Sequence, residues 1–352
     1  MTNLQRLALP AAALVFMGAG CISFSGGGAD GGLFVTTNRG DTWEQRGAVV
    51  SVSGGQSLAQ TNVLHIEQDP NDVLALYAAT EQDGAFASWD GGVSWRMLGA
   101  PFAKSRVSVV ATHPTDRCTF YVAGGQRIYR SFDCGRNWEM SDFEANASMT
   151  ALAIDPITPS IIYAGNSRGD LLLSTDRGTN WRTVHRAGNV IVQLLALRVG
   201  GSSAVIASTE RQGLLRSTDR GVTWESLRSG MESFASAFNV TTVVPIAQRP
   251  GSLLHASQFG LLRSSDLGST WEAIPLLTKQ GSVTVTAAAV DPQDRNRIVY
   301  ATRSTFYRTS DGGKSWESKK LPTSRYVTAL MVDRRSQEAV WMGTKFVEES
   351  KF

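Results

Sequence analysis

Cysteine, histidine and net charge are all scarce in this sequence of 352 residues. It contains three cysteines and four histidines, and its 34 basic and 31 acidic residues leave a net charge of only +3. There is no Cys-x-x-Cys motif and no histidine pair with metal-ligand spacing, so we predict neither a metal site nor a cofactor. A nucleic-acid partner is not expected either, because such partners require a strongly basic surface.

Long apolar runs are also missing, and the longest, Leu7 to Met17, is too short to span a bilayer. Arg6 precedes it and small residues lead to Cys21, so residues 1–21 have the layout of a secretory signal. The end of this segment resembles a bacterial lipobox, except that Gly18 stands where that motif carries an aliphatic residue. The resemblance implies acylation of Cys21 and an exported protein anchored by lipid on the periplasmic or extracellular face of the membrane. Simple cleavage without a lipid remains open. Residues 22–32 are glycine-rich and predict a flexible tether.

The most informative feature of the sequence is an eight-residue motif that occurs seven times. Its pattern is Ser/Thr-x-Asp-x-Gly-x-Ser/Thr/Asn-Trp, and the tryptophans are 43 to 52 residues apart. The acidic position and the tryptophan of the seven copies are Asn38 and Trp43, Asp90 and Trp95, Asp133 and Trp138, Asp176 and Trp181, Asp219 and Trp224, Asp266 and Trp271, and Asp311 and Trp316.

The residue types in this motif, called the box below, indicate a structural turn. A carboxylate such as that of Asp176 can accept hydrogen bonds from backbone N–H groups in a tight loop. The glycine two positions later, Gly178 in this copy, allows a positive φ. The tryptophan begins the next strand, where we expect its ring to be buried against a neighbouring repeat. These aspartates are therefore not predicted to be catalytic.

Each repeat contains four short stretches typical of β-strands, which predicts the blades of a β-propeller. First and second strands occur seven times, and so do the boxes with their fourth strands. Because the chain starts with a third strand and ends with first and second strands, we predict an all-β, seven-bladed propeller over residues 33–350. Its four-stranded antiparallel blades include a last blade closed by both chain ends. Residues 33–37 and residues 346–350 compete for the third strand of that blade, and the sequence leaves this choice open.

The boxes and their spacing resemble the Asp-box (BNR) propellers, which include sialidases, the sortilin luminal domain, xyloglucan-active glycosidases and photosystem II stability/assembly factors. The single-domain form with an exported N-terminus is most similar to the assembly factors, which are binding scaffolds. The resemblance therefore implies a monomeric propeller, tethered to the membrane, that binds a protein or peptide and has no catalytic residues. A carbohydrate-active protein is the alternative, but the sequence shows neither the Arg-Ile-Pro segment of sialidases nor a diagnostic pair of carboxylates.

Propeller topology predicts where a ligand would bind. The turns between first and second strands lie on the same face as the boxes and are alike from blade to blade, whereas the loops of the opposite face differ. Binding residues concentrate in such variable loops on a rigid scaffold. We call this opposite surface the loop face, and its candidate residues are Glu81, Asp83, Gln126, Arg168, Asp170, Glu210, Arg211, Phe259, Arg303 and Lys345.

The remaining two cysteines, Cys118 and Cys134, lie on neighbouring strands of one blade. A hairpin centred between Gly125 and Gln126 pairs Cys118 with Asp133, and a shift of half a residue would place the cysteines opposite each other. A disulfide is then expected, because export leads to an oxidising compartment. Two unrelated thiols are the alternative.

Overall fold

The computed structural model describes residues 30–50, 56–99, 101–141, 146–234, 236–246 and 248–347. The predicted signal, Cys21 and the tether as far as residue 29 lie outside these ranges. None of the helices in the described ranges is long and apolar enough to cross a membrane.

Seven four-stranded antiparallel sheets form the blades of a β-propeller, as predicted. Blades one to six follow one another along the chain, and in each of them the first strand lies nearest the axis and the fourth lies outermost. Their strands are, for blade one, Val63–Gln68, Leu76–Thr80, Ala85–Ser88 and Arg96–Met97; for blade two, Val107–Thr112, Phe120–Gly124, Arg127–Ser131 and Glu139–Met140; for blade three, Met149–Ile154, Ile162–Asn166, Asp170–Ser174 and Arg182–Arg186; for blade four, Ile191–Val199, Ser202–Thr209, Gly213–Ser217 and Glu225–Ser226; for blade five, Val240–Pro245, Leu253–Ser257, Leu261–Ser264 and Glu272–Ile274; and for blade six, Ala287–Val290, Ile298–Ala301, Thr305–Thr309 and Glu317–Lys320.

Blade seven joins the two ends of the described chain, because its strands are Tyr326–Val332, Val340–Lys345, Leu33–Thr36 and Glu44–Gln45. Leu33–Thr36 pairs antiparallel with the second strand, from Leu33 opposite Gly343 to Thr36 opposite Val340. The segment from residue 33 therefore takes the third-strand position, while Phe346 and Val347 follow the end of the second strand. This pairing removes the free sheet edges that an open array of blades would expose.

The loops carry three smaller features. Ala48–Val49 and Gln56–Ser57 pair as a two-stranded sheet, and 3-10 helices span Leu58–Gln60 and Arg228–Met231. The last residues of the predicted tether also contact the propeller, since the backbone oxygen of Asp30 accepts a hydrogen bond from Thr323. Contacts with the propeller thus extend at least three residues before its predicted start.

The hydrophobic core is divided into seven clusters, each shared by two neighbouring blades. Every box tryptophan packs in the cluster that its blade shares with the preceding blade, as expected. Trp95 and Trp271 are buried as predicted, whereas the other five are half-buried, so the prediction of burial is only partly correct for those rings. These rings are only half-buried because the tryptophan directly precedes the outermost strand of its blade. Most of the rings therefore cover the rim of the interface between two blades rather than its centre.

The box of blade three shows the hydrogen bonds that hold these turns. The Asn180 backbone N–H donates to Oδ1 of Asp176 at 2.9 Å, and the Asn180 side chain donates to Oδ2 at 2.7 Å. Ser174 closes the loop from the other side, since its hydroxyl donates to Asp176 and accepts from the Gly178 N–H. The backbone N–H of Asn180 and these further bonds lower the pKa of Asp176 to about 2, despite some opposing desolvation. The carboxylate is thus engaged in the turn.

Cys118 and Cys134 form a disulfide with a Cα–Cα distance of 4.1 Å. The predicted hairpin register is kept without any shift, because Phe120 pairs with Ser131 and Gly124 with Arg127. Cys134 instead reaches Cys118 by adopting a positive φ of 60° in the box turn, where its N–H donates to the Cys118 carbonyl at 3.0 Å. The geometry of the box turn therefore brings the two cysteines together without the register shift that strand pairing alone would need.

Candidate functional site

The ten candidate residues lie on the loop face at or beside the turns between second and third strands. The structure does not gather them into one site. Five of them are exposed, namely Gln126, Arg168, Glu210, Arg211 and Arg303, and five are half-buried, namely Glu81, Asp83, Asp170, Phe259 and Lys345. The one ion pair within the set joins neighbours in sequence, Glu210 and Arg211, at 4.0 Å.

The half-buried members support the scaffold. Glu81 accepts hydrogen bonds from Asn62 and from Arg106, each at 3.0 Å. The ring of Phe259 packs edge-on against Phe234 with centroids 5.3 Å apart. These side chains stabilise connections between loops, which leaves less of them available to a ligand.

The Asp170 side chain is engaged in the same way, whereas Asp83 and Lys345 contribute through their backbone. Asp170 lies 3.3 Å from the Arg186 guanidinium and accepts a hydrogen bond from Asn166. The Asp83 N–H donates to the Thr80 hydroxyl within its own turn. Lys345 ends the second strand of blade seven, where it pairs with Tyr326.

Several of these turns are also fixed to the next blade by backbone hydrogen bonds. The N–H of Gly84 donates to the Ser105 carbonyl at 2.9 Å, and the N–H of Gly213 donates to the Phe238 carbonyl at 3.3 Å. Ser105 and Phe238 both lie in the segments that enter the following blades. The loop face is therefore rigid at these positions.

A second surface, which the sequence reasoning missed, lies on the face of the boxes in blades one and two. The second position of the box holds threonine or serine in five copies but Trp89 and Phe132 in these two, and each of these aromatic side chains is 41% exposed. Val73, Leu74 and Val93 are exposed on the same face, so five of the twelve exposed large hydrophobic residues in the described ranges lie here. We call these five residues the apolar patch.

The apolar patch is supported by hydrogen bonds that connect its turns. The Gly91 N–H in the box of blade one donates to the Leu74 carbonyl at 2.9 Å, and the Asn71 side chain donates to the His113 carbonyl at 3.0 Å. Beside Phe132 lies a hollow of about 650 Å³, which is also lined by His113 and Arg177. The signal that could have revealed the patch was the change from small polar to aromatic residues at one position of the repeat.

The third region is the axial channel, a cavity of about 520 Å³ lined by the first strands of all seven blades. Glu67 and His65 of blade one face it, with the His65 Nε2 3.9 Å from the nearer Glu67 carboxylate oxygen. Burial raises the pKa of Glu67 to about 7, although a hydrogen bond from Thr112 at 3.0 Å and the charge of Arg334 oppose this effect. Burial also lowers the pKa of His65 to about 4, so the imidazole is neutral at pH 7.

The other ionisable residues give no sign of a metal centre. Within the ranges that the structure describes, no group of three or more histidine, cysteine or acidic side chains is placed to hold a metal ion. His255 is fully buried in the second strand of blade five, where it packs against Trp271 with centroids 5.4 Å apart. It is thus part of the core.

No family model matches the sequence, and no curated protein matches it significantly. Solved structures do match over most of the chain. A GH74 xyloglucanase from Xanthomonas campestris has a TM-score of 0.66 at 19% identity, covering 81% of this chain and 51% of its own. A GH74 enzyme from Niastella koreensis has a TM-score of 0.67 at 17% identity, covering 88% and 53% respectively. The chain thus spans about half the length of these hydrolases.

A structure of YCF48 bound to a D1 peptide is also similar, with a TM-score of 0.61 at 13% identity, covering 83% of this chain and 94% of YCF48. Both a peptide-binding protein and glycoside hydrolases therefore stand among the structures that this chain is similar to. At these identities the likeness establishes the seven-bladed propeller fold.

Proposed function

We propose that the protein is a binding propeller for a protein or peptide, held outside the cytoplasm by a lipid on Cys21, and that it assists assembly of a membrane complex. The apolar patch is the observation that carries the binding role. Two large aromatic side chains exposed on a rigid scaffold are typical of protein interfaces, where tryptophan and other aromatic residues supply much of the binding energy.

The surroundings of the apolar patch favour a bound polypeptide. The hollow beside Phe132 can receive a side chain, and Arg177 at its edge can donate hydrogen bonds to backbone carbonyls. The Cys118–Cys134 disulfide lies in the same box as Phe132, so this part of the surface is covalently fixed. A fixed surface binds with a smaller entropy cost than a flexible loop. The likeness to YCF48 with its bound D1 peptide supports the same class of ligand.

The test is a comparison of proteins captured from the native membrane by the wild-type propeller and by the double variant Trp89→Thr, Phe132→Thr. Threonine is the residue that three other boxes carry at this position, so the change should leave the turn intact. We expect the wild type to enrich specific membrane proteins and the variant to lose them by about tenfold or more.

A matched control removes exposed apolar residues elsewhere, with Val222→Thr and Leu277→Thr in one chain. This control should capture the same proteins as the wild type. Equal capture by the wild type and the patch variant would refute the role of the patch. Urea unfolding of each variant separates lost binding from lost folding.

A carbohydrate-active protein is the second candidate, and the specific observation in its favour is the similarity to GH74 hydrolases. Incubation with xyloglucan and measurement of new reducing ends tests it directly. Glycan hydrolysis requires a proton donor, and Glu67, a half-buried carboxyl that faces the channel with a pKa near 7, could serve as one. Release of reducing ends that Glu67→Gln abolishes would replace the binding proposal.

A further inference from the structure

The axial channel contains an acidic side chain in a ring that is otherwise apolar. Glu67 is the fifth residue of the first strand in blade one, counted from the residue that pairs with the end of the second strand. The residues at the corresponding positions of the other blades also line the channel, and they are Ala111, Ala153, Leu195, Val244, Ala289 and Met331. An acidic residue placed among apolar ones loses much of its hydration, so its presence there calls for a compensating partner.

The residues that the structure describes do not supply that partner. Thr112 donates a hydrogen bond to one carboxylate oxygen of Glu67, but no lysine or arginine nitrogen of the described residues lies within 4 Å of the carboxylate. His65 is close but neutral at pH 7, so it contributes no positive charge. Beyond 4 Å, Arg334, which also lines the channel, favours the ionised form of Glu67, and Asp69 opposes it. About a third of the Glu67 side chain is accessible, and that part faces the channel.

The size and lining of the channel define what could fill this role. Its volume of about 520 Å³ lies within the range of small-molecule sites. The lining residues include no phenylalanine, tyrosine or tryptophan, so they cannot form the aromatic cage that binds quaternary ammonium groups. The alanines of the ring leave room beside Glu67, and Leu195 and Met331 offer apolar contact. A primary ammonium group on an apolar chain matches all of these features.

We propose that the axial channel binds a primary ammonium group carried on an alkyl chain, with the Glu67 carboxylate as its counter-ion. The ammonium could belong to a free amine or to a lysine side chain of a bound polypeptide. This site is separate from the apolar patch and does not depend on the function proposed above.

Titration calorimetry of the propeller with n-butylammonium tests the proposal. We expect a dissociation constant of about 1 mM at pH 8, in keeping with a ligand of so few atoms. Butan-1-ol and tetramethylammonium should bind at least tenfold more weakly, because the first lacks charge and the second lacks N–H donors. Glu67→Gln should abolish binding, whereas the matched control Glu81→Gln on the loop face should retain it.

The pH dependence gives a second, independent measurement. An ammonium ion binds the ionised form of Glu67, so a proton must leave the carboxyl below its pKa near 7. The affinity should therefore fall about tenfold per pH unit below pH 7 and stay constant between pH 8 and pH 9. His65, Arg334 and Asp69 are the other charged or titratable groups that act on Glu67, and the pKa of His65 near 4 lies below this range.

Three results would overturn the proposal: no binding of n-butylammonium at about 50 mM, equal binding of butan-1-ol, or undiminished binding by a folded Glu67→Gln variant. Should that variant fail to fold, the wild-type pH series decides alone. A short peptide with one central lysine, compared with its norleucine counterpart, distinguishes the two sources. Binding of the lysine peptide at least tenfold tighter than n-butylammonium indicates a polypeptide ligand, and the reverse order indicates a free amine.

Discussion

Acidification should destabilise this propeller through the buried imidazole of His255. The imidazole is fully buried, and desolvation lowers its pKa from 6.5 to about 4. At pH 7 the side chain is neutral in both the folded and the unfolded chain. Between pH 6.5 and pH 4 the unfolded chain binds a proton that the folded chain excludes, so the free energy of unfolding falls as the pH falls. A difference of about 2.5 pKa units corresponds to about 3 kcal/mol at pH 4.

The comparison of wild type with His255→Met isolates this contribution. Met342 takes the corresponding place in blade seven, so the core of this fold already accommodates methionine there. Urea unfolding at pH 7, 6, 5 and 4 gives the free energy of unfolding of each protein. We expect the difference between them to shift by about 3 kcal/mol in favour of the variant on going from pH 7 to pH 4.

The effects of other titrating groups on the free energy of unfolding cancel between wild type and variant or occur at lower pH. His65 and Glu67 are present in both proteins, and their effects oppose each other, because the pKa of Glu67 is raised while that of His65 is lowered. The pKa of Asp176 is about 2, so the stability from that box is lost only below pH 4. Parallel stability curves for wild type and variant would show that His255 reaches solvent or a proton acceptor in the folded state. His255→Val, after Val122 in blade two, serves if the methionine variant does not fold.

Three further predictions concern the turns and the cysteines. Gly92→Ala should destabilise the fold by about 2–5 kcal/mol, because φ is +84° and a Cβ would overlap the buried Trp341 ring. In the control Gly99→Ala, φ is a similar +79° but the new Cβ meets no neighbour, so the cost should be about 1 kcal/mol. Equal losses of stability in urea unfolding would contradict the packing argument. Non-reducing peptide mapping should recover Cys118 linked to Cys134. Replacing both by alanine should lower the free energy of unfolding by up to about 3 kcal/mol, because the disulfide closes a loop of 16 residues. A free thiol at either position would exclude the bond in solution. Cys21→Ala should release the protein from membranes and abolish labelling by a fatty-acid probe, and a mature N-terminus beyond Cys21 without lipid would disprove the anchor.

The architecture could be predicted because its information is local and repeated. Each box carries an acidic residue, a glycine and a tryptophan at fixed spacing, and the hydrogen bonds around Asp176 join residues no more than four positions apart. The hairpin centre at Gly125 and Gln126 is local in the same sense. Seven copies of one local pattern therefore determine the number of blades.

The candidate site was less predictable, because exposure and ion pairing depend on the neighbouring blade. The sequence gives no sign that Glu81 and Phe259 have partners. In the structure, Arg106 donates a hydrogen bond to Glu81, and the ring of Phe234 packs against that of Phe259. In the sequence, Trp89 is one of the variable residues of a box. Only the structure shows that its side chain is exposed. Residues 33–37 and 346–350 were both candidates for the third strand of the last blade. Only the pairing of Leu33 with Gly343 decided between them.

The sequence by itself thus determined the repeat, the turns that hold it, the blade count and the closure of the ring by the two chain ends. The tertiary structure alone decided which strand closes the ring and which tryptophans are buried. It also decided which carboxylate stands without a counter-ion. The physical reason is that hydrogen bonds inside a turn are set by neighbours in sequence, whereas desolvation is set by everything within a few ångströms. For Glu67 that environment comes from seven strands spread over most of the chain, and only folding brings them around it.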